Sequence, residues 1–297
     1  MKALRTPDEA FEGLPDWPHE PKYIELDGFD GLRTHYVDVG SGDQVFLCLH
    51  GQPTWSYLYR KMIPVFAGAP SGARVIAPDF FGFGRSDKPT DEAVYTFDFH
   101  RRTLLAFIEA LDLRHVTLVC QDWGGILGLT LPMDTEGRIE RLVVMNTAIA
   151  TGLDAPSPGF IAWRAFSRQK PDYDVAGLMK RAVPGIRDDE AAAYRAPFPD
   201  ASYRAGVRRF PDLVPVEPDM EGADIGQRAA AWFKSEWTGP SFIAVGEQDP
   251  VLGVPVMDKM QALIPGASDL MRLPEAGHFV QEHGARVALA ALAHFGR

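Results

Sequence analysis

Five stretches of the chain, at 45–49, 74–78, 117–121, 141–146 and 241–246, are apolar almost without interruption. Short apolar runs bounded by turn formers mark strands buried on both faces. A sixth, weaker strand is expected at 269–273. Between these runs the period changes: Leu104, Leu105, Phe107, Ile108 and Leu111 fall at helical spacing, which predicts an amphipathic helix over 97–111. Further helices are expected at about 56–66, 226–237, 255–264 and 281–295, and the almost wholly apolar 126–133 reads as a helix covered on all sides. Strands and helices that alternate in this way predict a mainly parallel sheet with helices on both faces. Two earlier runs, 23–26 and 34–38 around the turn-prone 27–31, read as an antiparallel edge and bring the sheet to eight strands. Residues 1–20 are Pro-rich and irregular.

The alternation stops between 152 and 216, where turns, scattered aromatics and short helical patterns around 176–183 and 188–194 replace it. A helical block inserted between two strands of one sheet reads as a cap over their C-terminal ends. The expected organisation is an α/β core domain of residues 1–151 and 217–297, with a helical cap domain of residues 152–216.

Composition narrows the partners. Hydrophobic residues make up 46% and charged residues 24% of the 297, the make-up of a soluble, fully folded protein. The formal charge of −10, with no local Lys/Arg cluster, argues against nucleic acid and leaves a neutral small molecule as the easier partner. The first residues lack the apolar core of a signal peptide and no apolar run is long enough for a bilayer, so a cytoplasmic protein without membrane partners is expected. Cys48 and Cys120 fall in expected buried strands and read as inert thiols. The eight histidines form no metal-ligand pair, so no metal is expected. The glycine-rich loop at 79–89 lacks the third glycine and following helix of a dinucleotide fingerprint.

The chemistry centres on Cys120-Gln121-Asp122-Trp123-Gly124, where a buried strand stops at one carboxylate and restarts as a helix. Small-x-acid-x-small is what a nucleophile elbow needs, since the turn is so tight that its flanks must be small. Serine is the familiar central residue. A carboxylate there is anionic at neutral pH, needs no base to attack, and points to carbon rather than an acyl group as target. The partners follow in the order nucleophile, acid, histidine. Asp249 comes three residues after the strand ending at Gly246, and His278 follows the last strand. His50 is the rival base, but in a turn after an inner strand it is better suited to holding loop backbone. His278 would activate water against an ester formed on Asp122, and Asp249 would orient its ring. The amides of Gln52 and Trp123 would receive the oxyanion of that second step.

The tryptophans indicate the leaving group. An indole N–H is a donor without acceptor capacity on an apolar ring, which suits a weakly hydrated halide. Trp123 directly follows the nucleophile, and Trp163 in the cap could donate from above.

These residues together resemble the haloalkane dehalogenases of the α/β-hydrolase fold. The resemblance covers nearly the whole chain. It rests on His50-Gly-Gln-Pro-Thr-Trp55, Asp79-Phe-Phe-Gly-Phe-Gly84, Gln121-Asp-Trp-Gly-Gly125, the Asp249 loop and Gly277-His-Phe-Val-Gln-Glu282. It is similar to the subgroup whose acid follows the later strand and whose second halide-binding residue is a cap tryptophan, which implies Trp123 and Trp163 as the halide pair. Asn146, at the alternative acid position, carries no charge with which to orient an imidazolium. The resemblance transfers the backbone role of Gln52, while its side-chain amide could donate to the halide or pack in the loop. It further implies a pocket lined by Ile126, Phe160 and Phe279, short neutral haloalkanes as substrates, halide and a primary alcohol as products, no cofactor, and a monomer.

Three other functions fit parts of this pattern. An epoxide hydrolase uses the same Asp and His logic with proton-donating cap tyrosines, for which Tyr173, Tyr194 and Tyr203 are available; Trp123 would then be idle. A fluoroacetate-type dehalogenase would need an Arg near the nucleophile, which Trp123 and Ile126 leave without a place. A non-catalytic binding protein would have no use for Asp122, Asp249 and His278 together.

Overall fold

The computed structural model describes residues 1–70 and 72–296. Its sheet has eight strands: β1 (Lys22–Glu25), β2 (Arg33–Gly40), β3 (Val45–Leu49), β4 (Arg74–Pro78), β5 (Val116–Gln121), β6 (Ile139–Met145), β7 (Ser241–Gly246) and β8 (Met271–Leu273). Across the sheet they run β8-β7-β6-β5-β3-β4-β2-β1. All pairings from β8 to β4 are parallel, and β2 joins β4, and β1 joins β2, antiparallel, as the edge pattern predicts. Strands β3, β5 and β7 are buried at every position, which accounts for their nearly unbroken apolar runs. Because β3, β5, β6, β7 and β8 all point the same way, the loops after them gather at one edge of the sheet, where open α/β folds bind ligands.

The core helices are α1 (Ile63–Ala67), α2 (Phe97–Ala110), α3 (Trp123–Gly128), α8 (Ala223–Ser235), α9 (Val254–Leu263) and α10 (Gly284–His294), and α4 to α7 lie in the insertion described below. Three expected helices are shorter than their apolar patterns. The 56–66 segment divides into a 3-10 turn at Ser56–Tyr59 and α1, whose second residue is Pro64. Proline has no N–H to give a preceding turn, so one continuous helix is not available. Pro132 ends the 126–133 pattern for the same reason, leaving α3 and a 3-10 turn at Pro132–Asp134. The last helix is preceded by a 3-10 turn at Val280–His283. The N-terminal segment is not wholly irregular, since Ala3–Leu4 pairs antiparallel with Lys88–Pro89 outside the main sheet.

From Gly152 to Val216 the chain is built of α4 (Pro158–Gln169), α5 (Val175–Ala182), α6 (Asp188–Arg195) and α7 (Ala205–Leu213) with a 3-10 turn at Ala201–Arg204. Helices α5 and α6 match their patterns, while α4 and α7 go beyond them. Helix α4 carries a start signal all the same: Ser157 caps it by accepting from the Phe160 N–H at 3.1 Å, and Pro158 occupies the first turn. The two ends of the insertion touch. Gly152 has φ +68°, and a Cβ there would lie 2.3 Å from the carbonyl oxygen of Glu217. Helix α4 also presses on the sheet edge, since a Cβ on Gly159 would lie 1.8 Å from the Pro250 carbonyl oxygen and Ser157 Oγ donates to Val251 O at 2.8 Å. No helix among the described residues is long and apolar enough to cross a membrane.

Candidate active site

Strand β5 ends at Gln121, and Asp122 takes φ +50° and ψ −126°, a sparsely populated conformation for a residue with a side chain. The surroundings show why its neighbours are small. A Cβ on Gly124 would lie 2.0 Å from the Leu49 carbonyl oxygen, and one on Gly125 would lie 2.1 Å from Thr147 Oγ1. Thr147 Oγ1 in turn donates to the Asp122 carbonyl at 2.7 Å, and the Asp122 N–H donates to Asn146 O at 3.0 Å. The strained residue is therefore held from both sides, as a nucleophile elbow is.

Asp122 Oδ1 accepts from the Gln52 backbone N–H at 2.8 Å. The loop that delivers this amide is fixed by His50, whose Nδ1–H donates to Gly51 O at 2.9 Å while Nε2 accepts from the Phe80 N–H at 2.9 Å. Both ring nitrogens are thereby committed, and burial keeps the imidazole below its ordinary pKa. His50 is a loop-holding residue. The side chain of Gln52 turns away from Asp122: its Nε2 donates to Tyr173 Oη at 2.9 Å and Val207 O at 3.0 Å, tying the loop to the helical insertion. Both amide hydrogens are used there, so of its two possible roles the Gln52 side chain takes packing and not halide contact.

Asp122 Oδ2 lies 3.6 Å from His278 Nε2, and His278 Nδ1 is bonded to Asp249 Oδ2 at 2.8 Å. Asp249 is buried, with Oδ1 accepting from the Val251 N–H at 2.8 Å. Asn146 shapes this acid by donating to Asp249 Oδ2 at 2.8 Å and, through Oδ1, accepting from the Gly246 N–H at 2.8 Å. That contact was not foreseen, although the place of Asn146 at the end of β6 is its signal. Burial raises the Asp249 carboxyl, but His278 and then Asn146 outweigh it and hold it below the usual range. Burial likewise pushes His278 down, and the charges of Asp249 and Asp122 outweigh it, leaving the imidazole pushed up to about 10. One further contact was missed: Gln121 Nε2 stands 2.9 Å from His278 Nε2 and 3.1 Å from His278 O.

A cavity of about 970 Å³ opens over Asp122, between the strand ends and the insertion. Trp123, Trp163, Ile126, Phe160 and Phe279 all line it, together with Asp249 and His278. The indole N–H groups of Trp123 and Trp163 donate to no protein acceptor among the described residues, whereas Trp55 donates to Ala193 O at 3.1 Å and Trp237 to Ser241 Oγ at 2.9 Å. Two unspent donors in an apolar wall are what a halide needs. Tyrosine is absent from the described lining. Tyr194 Oη is bonded to Arg60 and Glu282, and Tyr173 Oη receives Gln52, so neither is turned toward Asp122. The cations that reach the lining, Arg181, Lys234 and Lys259, are exposed side chains.

Comparison with known proteins carries the same message. A family model for the alpha/beta hydrolase fold matches residues 44–285. A haloalkane dehalogenase of Psychrobacter cryohalolentis is 42% identical, with 97% of this chain and 96% of that protein covered. One from Mycobacterium marinum is 41% identical, over 95% of each. The chain belongs to the haloalkane dehalogenases of the α/β-hydrolase fold. Among solved structures, the haloalkane dehalogenase of Paraglaciecola agarilytica, a tetramer, is similar at 49% identity and a TM-score of 0.96, covering 99% of this chain and 98% of that one. As a haloalkane dehalogenase, this protein hydrolyses carbon–halogen bonds.

Proposed function

We propose that this dehalogenase works in two steps through a covalent ester on Asp122. Oδ2, the oxygen not held by the Gln52 amide, attacks the carbon that bears the halogen. The carbon–halogen bond breaks with its electron pair, and the halide is received by the indole N–H groups of Trp123 and Trp163. Water then gives a proton to His278 Nε2 while its oxygen adds to the ester carbonyl carbon. The carbonyl oxygen is Oδ1, already bonded to the Gln52 N–H at 2.8 Å, so the oxyanion develops against a donor that is in place. The Trp123 N–H, at the first residue of α3, is the second donor, since a first-turn amide has no intrahelical acceptor. Collapse releases a primary alcohol and restores the carboxylate. The sum is haloalkane plus water to alcohol, halide and a proton.

The division of labour between the two Asp122 oxygens is the observation that carries this reading: one is fixed by a backbone amide, and the other stands 3.6 Å from His278 Nε2 on a residue that lines the cavity. The first step also prepares the second. Alkylation neutralises Asp122, removing one of the two charges that raise His278 and easing the ring toward its neutral, proton-accepting form. Residues 152–216 act as the cap that brings Phe160 and Trp163 over Asp122, which suits short neutral haloalkanes, and a cytoplasmic location belongs to the same reading. The test is His278→Ala incubated with a short bromoalkane: the intact mass should rise by one alkyl group, located on Asp122. An unmodified but folded variant would count against both assignments. The single-chain state is tested by light scattering, where 32.8 kDa supports it and four times that mass gives this chain the assembly of the Paraglaciecola relative.

A further inference from the structure

Gln121 precedes the nucleophile, is fully buried, and has no place in the two steps above. Its amide nitrogen stands 2.9 Å from His278 Nε2 and 3.1 Å from the His278 carbonyl oxygen. The carbonyl oxygen can only accept. It therefore fixes which way the amide points, because the opposite orientation would set Gln121 Oε1 against another oxygen. In the fixed orientation both N–H groups are used on His278, and Oε1 is left without a partner among the described residues. Leaving a buried oxygen unpaired is costly, so the donor end of the amide is the end this position serves.

An imidazole nitrogen accepts a hydrogen bond only when it carries no proton. The Gln121 N–H therefore bonds to a ring that is protonated at Nδ1, toward Asp249, and bare at Nε2; a doubly protonated ring would set N–H against N–H. We propose that Gln121 is a positioning residue whose side-chain N–H biases His278 toward the neutral, Nδ1-protonated tautomer, the form that takes a proton from water. The two charged groups facing the ring, Asp249 and Asp122, favour the imidazolium, and among the described residues Gln121 is the one polar contact that opposes them. When water arrives it donates to Nε2 in place of one amide hydrogen, and the second hydrogen, still on His278 O, keeps the side chain in reach.

The inference rests on His278 being the general base, so the test separates the two. Halide release in the first turnover reports attack by Asp122, and the pH dependence of ester breakdown reports His278. For Gln121→Met, which keeps length and loses the donor, the first-turnover burst should persist while the acid limb of ester breakdown moves up by about half to one pH unit. Gln121→Glu places an acceptor with charge at the same nitrogen and should move the limb up further. Rescue is expected from neither. A burst with an unmoved limb in Gln121→Met, whatever Gln121→Glu does, overturns the inference and leaves the mechanism standing. Absence of any alkyl-enzyme in the unsubstituted protein overturns the mechanism itself. Should Gln121→Met fail to fold, the ring 15N shift of Nε2 followed against pH in Gln121→Glu and the parent decides: the change from imidazolium to a neutral, hydrogen-bonded Nε2 is expected at lower pH in the parent, and a shared midpoint or the reverse order refutes the inference.

Discussion

Asn146 Nδ2 and His278 Nδ1 converge on one oxygen, Asp249 Oδ2, each at 2.8 Å. An uncharged amide thus shares the carboxylate with the ring it orients. The Asp249 carboxyl is held below its ordinary range, so it contributes stability that is full above the unfolded value of 3.8 and is lost as pH falls through the folded one. Removing a partner raises the folded value and narrows that window. Asn146→Ala is expected to unfold at a higher pH than the parent in an acid titration followed by circular dichroism, and unchanged acid unfolding would show that the amide does not stabilise the anion.

The 3.6 Å between His278 Nε2 and Asp122 Oδ2 sets the pH dependence of turnover. In the free enzyme the ring is pushed up to about 10, whereas in the alkyl-enzyme only Asp249 still raises it. Ester breakdown needs the neutral ring, so its rate should fall as pH drops, with a limb centred below 10. Attack by Asp122 needs no base and should not share that limb. Single-turnover halide release measured against steady-state turnover from pH 5 to about 10 separates the two. A common acid limb in both steps would remove His278 from its role as base.

Gln52 and Trp163 should behave in opposite ways. The Gln52 side chain spends both hydrogens on the insertion, so Gln52→Ala should leave bromide affinity near that of the parent while costing about 1–3 kcal/mol in denaturant unfolding. Trp163→Phe keeps the ring and loses the donor. Its bromide affinity should fall about tenfold or more with little change in stability, since a hydrogen bond to a charged partner contributes about 1.5–3 kcal/mol. Quenching of tryptophan fluorescence by bromide measures both, and a reversed pattern would exchange their roles.

Arg60 holds the insertion down through charge. It donates to Glu282 at 2.8 and 2.7 Å and to Glu190 of α6 at 2.8 Å, with all three side chains buried. Deleting one member leaves buried charge without a partner, so Arg60→Ala should lose about 3–5 kcal/mol in urea unfolding. A loss below about 1 kcal/mol would mean that water or Lys61 takes over the pairing.

The periodic pattern was enough for the sheet, because strands buried on both faces are built mostly of apolar residues and leave runs such as 45–49 and 242–245. The strained corner was equally legible. A turn that packs against Leu49 O and Thr147 Oγ1 requires glycine at 124 and 125, and glycine is visible in a sequence. Helix α4 escaped notice even though Ser157-Pro158 marks its start, because its apolar residues are divided among cavity (Phe160, Trp163), core (Trp163, Phe166) and solvent (Ile161) and form no single buried face. Helix α7 carries Pro211 inside it, where proline ordinarily ends a helix, so its local sequence does not read as one.

From its sequence alone this protein was determined as an α/β chain with a carboxylate at an elbow, an acid and a histidine in order, and a tryptophan beside the nucleophile. Those are properties of single positions and of spacing along one strand or turn. Tertiary structure alone decided that Gln52 spends its amide on Tyr173 and Val207, that Asn146 binds Asp249 across 103 residues, and that Gln121 reaches the ring of His278 across 157. Hydrogen bonds of a few ångströms between residues so far apart in the chain are set by how parallel strands align their ends, and no local pattern encodes that alignment.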